Sequence, residues 1–182
     1  MDDNFGNETA EDLYTSIKDD IVGSWFSCPK SGQADSITAR LKLDNTGFLA
    51  KTFHVKCAIY DKSDGSRVGY TVEWSKTVGG LDTWIGWHTF SIISDGSLNI
   101  KDYYLCAWAK ETGAYIAYKT EATKGAHDIV VYDGFPDPWT PEGFSVKCSI
   151  YCTYTPIVPP PAKPLINKPL VNPILVNVPI IR

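Results

Sequence analysis

Between Phe144 and Tyr154 every second residue is apolar or aromatic: Phe144, Val146, Cys148, Ile150, Cys152 and Tyr154 alternate with Ser145, Lys147, Ser149, Tyr151 and Thr153. Successive side chains of a strand point to opposite faces, so a period of two predicts a half-buried β-strand. The pattern recurs upstream. Ile37, Ala39, Leu41 and Leu43 alternate with Thr38, Arg40 and Lys42, and Phe53, Val55, Cys57 and Ile59 repeat it before the turn-forming run Asp61-Lys62-Ser63-Asp64-Gly65. Val68, Tyr70, Val72 and Trp74 read as the return strand. A first strand is expected near residues 22–28, a Gly-rich and Trp-bearing loop over 75–86, and further strands over 87–93, 114–119 and 128–132. Residues 103–109 are apolar on both faces, as expected of a central strand. One short helix is expected over 11–17. Short strands punctuated by turns, with no long helix, predict an all-β chain folded as an antiparallel β-sandwich.

Proline and charge divide the chain. Residues 156–182 hold 8 of the 12 prolines, three basic residues and no acidic one, whereas the preceding 155 residues carry 14 basic and 21 acidic residues. Two segments are therefore expected: a sandwich over 1–155 and an extended arm over 156–182. Proline spacing forbids a helix in the arm and favours polyproline II or edge-strand backbone. Leu165, Ile166, Leu170, Val171, Ile174, Leu175, Val176, Val178, Ile180 and Ile181 make it too apolar for a solvated linker. At ~3.1 Å per residue it reaches about 80 Å, far enough to meet a neighbouring molecule. Asn167, Asn172 and Asn177 recur every five residues, which suggests a repeated docking unit.

The strings Ile21-Val22-Gly23-Ser24-Trp25-Phe26, Ala34-Asp35-Ser36-Ile37, Val55-Lys56-Cys57-Ala58-Ile59-Tyr60-Asp61, Trp87-His88-Thr89-Phe90 and Tyr103-Tyr104-Leu105-Cys106-Ala107-Trp108 resemble jelly-roll β-sandwich modules. Such modules recur in microbial surface proteins and in fibre or coat proteins of viruses, often beside sugar-binding or adhesive domains. The resemblance spans residues 4–155 and rests on the order and spacing of strand signatures. It implies a jelly-roll topology and an extracellular or virion setting, and it carries no catalytic motif. The proline-rich arm and the five cysteines lie outside the pattern.

Motifs for chemistry are few. No serine sits in Gly-x-Ser-x-Gly and no Gly-rich phosphate loop precedes a helix, so an enzyme is not expected. Asp133 and Asp137 have the residue types of a glycosidase pair, but their turn context argues first for backbone hydrogen bonding. Cys28, Cys57, Cys106, Cys148 and Cys152 lack zinc-ligand spacing and read as core; an odd count leaves at least one thiol free. Cys148 and Cys152 lie about 13 Å apart on one strand, beyond disulfide reach, while a bridge to Cys57 or Cys106 stays open. His54, His88 and His127 are scattered. No metal or cofactor is expected, with a structural calcium at the Asp61 to Gly65 turn as the one alternative to a solvated hairpin.

Trp84, Trp87 and Trp139 fall in or beside Gly- and Pro-rich connections, where indoles stack on sugars or anchor a partner, or else plug the ends of the sandwich. Asn7-Glu8-Thr9 fits an N-glycosylation acceptor. A net charge of -4 gives nucleic acid no general electrostatic hold. No apolar run is long enough for a membrane span, and the acidic Met1-Asp2-Asp3 start is unlike a secretory signal. The expected function is a non-enzymatic structural subunit of an extracellular filament, surface layer or virion, assembling with other copies of itself through the arm. The alternative is a glycan-binding or adhesion module using the loop aromatics.

Overall fold

The computed structural model describes residues 2–157; the arm residues from Leu165 to Ile181 lie outside the described residues. In chain order the strands are β1 (Asp3–Gly6), β2 (Leu13–Ser16), β3 (Asp20–Ser27), β4 (Gly32–Asn45), β5 (Lys51–Asp61), β6 (Arg67–Tyr70), β7 (Trp74–Val78), β8 (Asp82–Ser91), β9 (Ser97–Leu98), β10 (Asp102–Ala109), β11 (Ala114–Ile129), β12 (Glu142–Cys148) and β13 (Ile150–Pro156). No helix occurs among the described residues. Every pairing between these strands is antiparallel, and the all-β arrangement is compatible with a β-sandwich.

One group of strands has β10 between β3 and β5, with β6 and β7 beyond β5. The other is built on β4. Along one edge β4 pairs with β8 and β9; along the other it meets β13 and then the start of β11. β1 flanks β13 and β2 flanks β11. β11 joins the two groups. Its first residues pair with β4, its register against β12 shifts between Thr120 and Gly125, and its end pairs with β3. A bulge bends and twists a strand, which lets one strand serve two partners.

The alternation read from the sequence matches the burial. Ile37, Ala39, Leu41, Leu43, Phe53, Val55, Cys57, Ile59, Val146, Cys148, Ile150, Cys152 and Tyr154 are all buried in one main core, with Phe144 half-buried at its margin. The long 144–154 run divides at Ser149, whose N–H donates to Ala117 O and whose carbonyl accepts from Arg40 N as the chain changes partner. β10 is apolar on both faces because it serves two cores. Tyr103, Leu105 and Ala107 face the main one, while Cys106 and Trp108 join Ile21, Ala58, Tyr60, Ala126, Phe135 and Trp139 in a second. The segment 130–141 supplies Phe135 and Trp139 and so covers the outside of the sheet.

Four expectations are corrected. Residues 11–17 contain the strand β2 rather than a helix, because so short a helix cannot offset its nucleation cost, while pairing to β11 and full burial of Ile17 are available. The return strand over 68–74 is two strands, β6 and β7, separated at Thr71 to Glu73, where Val72 turns outward. The supposed loop over 75–86 is mostly strand: β7 pairs with β5 and β8 with β4, and the turn at Gly79, Gly80 and Leu81 carries the chain from one group of strands to the other. The 128–132 strand is the end of β11, which stops at Ile129.

Candidate functional site

Residues opposite each other in an antiparallel pair project to the same face, so the register of β8 sorts the predicted tryptophans. Trp84 stands opposite Leu43 and turns toward the main core; Trp87, three residues on, stands opposite Arg40 and turns outward. The predicted trio is therefore not brought together. Trp84 is half-buried at the margin of the main core, 5.5 Å from the ring of Trp74. Trp74 stacks on His88 at 3.8 Å, and burial holds the His88 imidazole below its usual range, so it sits there neutral at pH 7. These rings seal the side where β7 and β8 meet. Trp139 is corrected as a glycan platform: it is 1% exposed and packs 5.0 Å from the Tyr60 ring and 5.4 Å from the Tyr104 ring. Its backbone N–H donates to Gly65 O at 2.8 Å. With both faces occupied it has none to offer a sugar.

Trp87 alone of the three lies on an outward face. Its ring is 5.8 Å from that of Tyr151. Arg40, between them in the sheet, is held by Asp12 Oδ1 at 3.1 Å and by the Glu11 carbonyl. Thr38 and Thr89 share a hydroxyl hydrogen bond of 2.9 Å in the same row. Further along β4 the Lys42 ammonium stands 5.8 Å from the Tyr14 centroid and 5.6 Å from that of Tyr115. Strand pairing thus makes a shallow face of half-buried aromatics, hydroxyls and cations. Tyr151, Tyr14 and Tyr115 were missed in the sequence because each occupies a polar, outward position of a strand, and only the register shows that they share a face.

One end of the body is apolar and open. Phe48 (87% exposed) and Leu49 (83%) stand beside Leu81 (65%), which has a positive φ of 57°. The two turns are tied together by buried Asn45, whose Nδ2 donates to Leu49 O and Gly79 O at 2.8 Å, and by the bond from Leu81 N to Gly47 O. The exposed side chains are therefore carried on a braced backbone.

The other singled-out residues have structural partners. His54 and its own N–H contact the Glu111 carboxylate at 2.7 and 2.6 Å, and His127 lies 3.4 Å from Asp20. Asp137 accepts from Arg67 N at 2.9 Å. Asp133 is exposed, and its carbonyl accepts from Lys56. At the Asp61 turn the carboxylate oxygens accept from Ser63 N, Ser63 Oγ and Lys101 Nζ. Among the described residues no three metal-ligating side chains converge. All five cysteines are free and buried. Cys57 and Cys106 sit on neighbouring strands but face different cores, which separates their sulfurs. Burial raises all five thiols above the ordinary range, Cys148 to about 12. Asn7 of the glycosylation motif is 6% exposed and its Nδ2 donates to Cys148 O at 3.2 Å, so the folded body does not present it as an acceptor.

No helix among the described residues is long and apolar enough to cross a membrane. No protein-family model matches the chain, and comparison with curated proteins gives no match.

Proposed function

We propose that the chain is a non-enzymatic structural subunit of an extracellular surface layer, filament or virion, with a jelly-roll-type body and an arm that docks on a neighbouring copy. The observation that carries this is the sequence of residues 156–182, apolar, proline-punctuated and free of acidic residues, directly following a body of opposite charge balance. An exposed run of that hydrophobicity is an aggregation hazard unless a partner covers it. Strand addition suits it, since non-proline amides can pair with a sheet edge while prolines face away. The exposed Phe48, Leu49 and Leu81 give the body further apolar surface to bury in an assembly. Docking of one copy's arm on the next is a heterologous contact, which propagates unless the rotation closes. Apolar burial is expected to dominate the affinity, because exposed ion pairs from Lys163 or Lys168 contribute little. Sedimentation velocity of the full chain and of residues 1–157 tests it. Concentration-dependent growth in the full chain alone is expected, and identical monomers in both would overturn it.

The Trp87 face supports a second reading, a glycan-binding or adhesion module, because an outward indole beside Tyr151 and Arg40 combines a stacking plane with a hydrogen-bond donor. Retention of glycan-array signal in Trp87→Ala would remove that reading.

A further inference from the structure

Trp25 projects from β3 on the side of the sheet that carries the second core, beyond the cover of 130–141. Its partner across the strand is Tyr104, whose ring meets Trp139 edge-on and marks where that cover ends. Past this line opens a hollow of 480 Å³, lined by Trp25, Lys62, Tyr104, Phe144, Gly125 and Gly143 among others. Its volume is in the range of small-ligand sites.

Two ammonium groups stand against the one indole: Lys62 Nζ is 4.1 Å and Lys124 Nζ 3.3 Å from the ring centroid. The indole Nε1 donates to Thr123 O at 2.8 Å, which fixes the ring plane. Thr123 has a φ of 61°, a rare conformation for a β-branched residue, and sits within the register shift of β11. Bulges re-aim side chains, and strained backbone concentrates where a site needs it. Ring, carbonyl and both cations thus form one built unit.

The charge there runs against that of the whole chain. Asp102 is engaged by Ser27 Oγ at 2.6 Å and Lys62 at 3.4 Å, and Glu121 lies between Lys119 and Lys147 at 3.9 and 3.6 Å. Around Lys124 the charged neighbours are Lys62 and Lys147 against Asp102 and Glu121, so three lysines face two carboxylates in a molecule of net charge -4. Lys124 has no carboxylate within 4.0 Å among the described residues; partial burial, with Lys147 and Lys62 nearby, lowers its pKa. Each cation–π contact is worth only ~0.5–1 kcal/mol at an exposed site, so an anion can compete with the ring for these two ammonium groups.

We propose that this hollow binds an acidic saccharide, a pyranose bearing a carboxylate or sulfate, with the anionic group taken by the ammonium groups of Lys62 and Lys124 beside Trp25 and a C–H face of the ring against Tyr104 and Phe144. The aromatic walls favour a sugar over a bare inorganic anion. The small number of lysines and the absence of arginine from the wall favour it over nucleic acid, which needs a groove of cations tracking a phosphate backbone. The site shares no residue with the Trp87 face, and its test does not depend on the assembly.

The full chain, titrated with tetragalacturonate and with a sulfated disaccharide while the Trp25 indole N–H resonance is followed, provides the test. At least one of these acidic sugars should shift that resonance and bind at least about tenfold more tightly than maltotetraose, inorganic sulfate or an eight-residue oligothymidylate. The double substitution Lys62→Gln with Lys124→Gln should weaken binding at least about tenfold, and the corresponding arginine pair should retain it. Failure of both acidic sugars to bind, equal binding by maltotetraose, sulfate or the oligonucleotide, or undiminished affinity in the glutamine variant would overturn the proposal.

Discussion

Trp139→Ala should be among the most damaging single substitutions in the body, although the residue lies in a loop between Pro138 and Thr140. A buried tryptophan removes ~150–250 Å² from water, which at ~25 cal/mol per Å² is about 4–6 kcal/mol, and measured Trp-to-Ala losses in cores run ~3–5 kcal/mol. The ring contacts to Tyr60 and Tyr104 would be lost with it. Opposing this, the buried indole N–H has no hydrogen-bond partner among the described residues, and an unmet buried donor costs ~1–3 kcal/mol. Trp139→Phe removes that donor while keeping most of the apolar area, so its stability should stay within about 1 kcal/mol of the parent protein. Urea unfolding followed by far-ultraviolet circular dichroism separates the two, with an expected loss of about 3 kcal/mol or more for alanine. A loss below about 1 kcal/mol for Trp139→Ala would mean that 130–141 is not packed on the sheet as described. A phenylalanine variant as unstable as the alanine one would refute the role given to the unpaired indole.

Other consequences follow from the same packing. Asn45→Ala should cost about 1–3 kcal/mol in the same urea assay, because buried Asn45 caps carbonyls of two turns. The five thiols should be unreactive to a thiol reagent in the native protein and all react in denaturant, and reducing agent should leave Tm unchanged, since no disulfide is present. Burial works against ionisation of Asp61, yet Lys101 and Ser63 hold its carboxyl below the ordinary range; the Ser27 hydroxyl and then Lys62 do the same for Asp102 despite partial burial. A depressed folded pKa gives stability that is present above the unfolded pKa near ~3.9 and lost as pH falls through the folded value. The acid limb of the Tm profile should therefore be shallower in Asp61→Asn, and an unchanged limb would count against the Lys101 pairing.

Strands with one wet face were legible: the alternation around Ile37 and from Val146 to Tyr154 places the buried residues correctly. β10 was also legible, since residues apolar on both sides must be covered twice, but nothing local showed that residues 130–141 supply the second cover. The succession of β7, turn and β8 was obscured by Gly79, Gly80 and by Leu81 at positive φ, a conformation that leucine does not advertise. Isolated Gly and Trp read as loop, whereas Trp84 is a strand residue whose ring packs 5.5 Å from that of Trp74. The candidate surfaces were the least legible part. Trp25 reads as one more strand residue until the bulge brings Thr123 and Lys124 to it, and Tyr151 gains meaning only from its register with Thr38.

Amide hydrogen exchange on the full chain, above and below the concentration at which it assembles, addresses the docking of the arm most directly. Amides of the non-proline residues from Leu170 to Ile181 should be protected in the assembled material and exchange freely in the dilute chain, because strand addition pairs them only when a neighbour supplies an edge. Free exchange of those amides in assembled material would contradict arm docking and leave the Trp87 and Trp25 faces as the body's working surfaces.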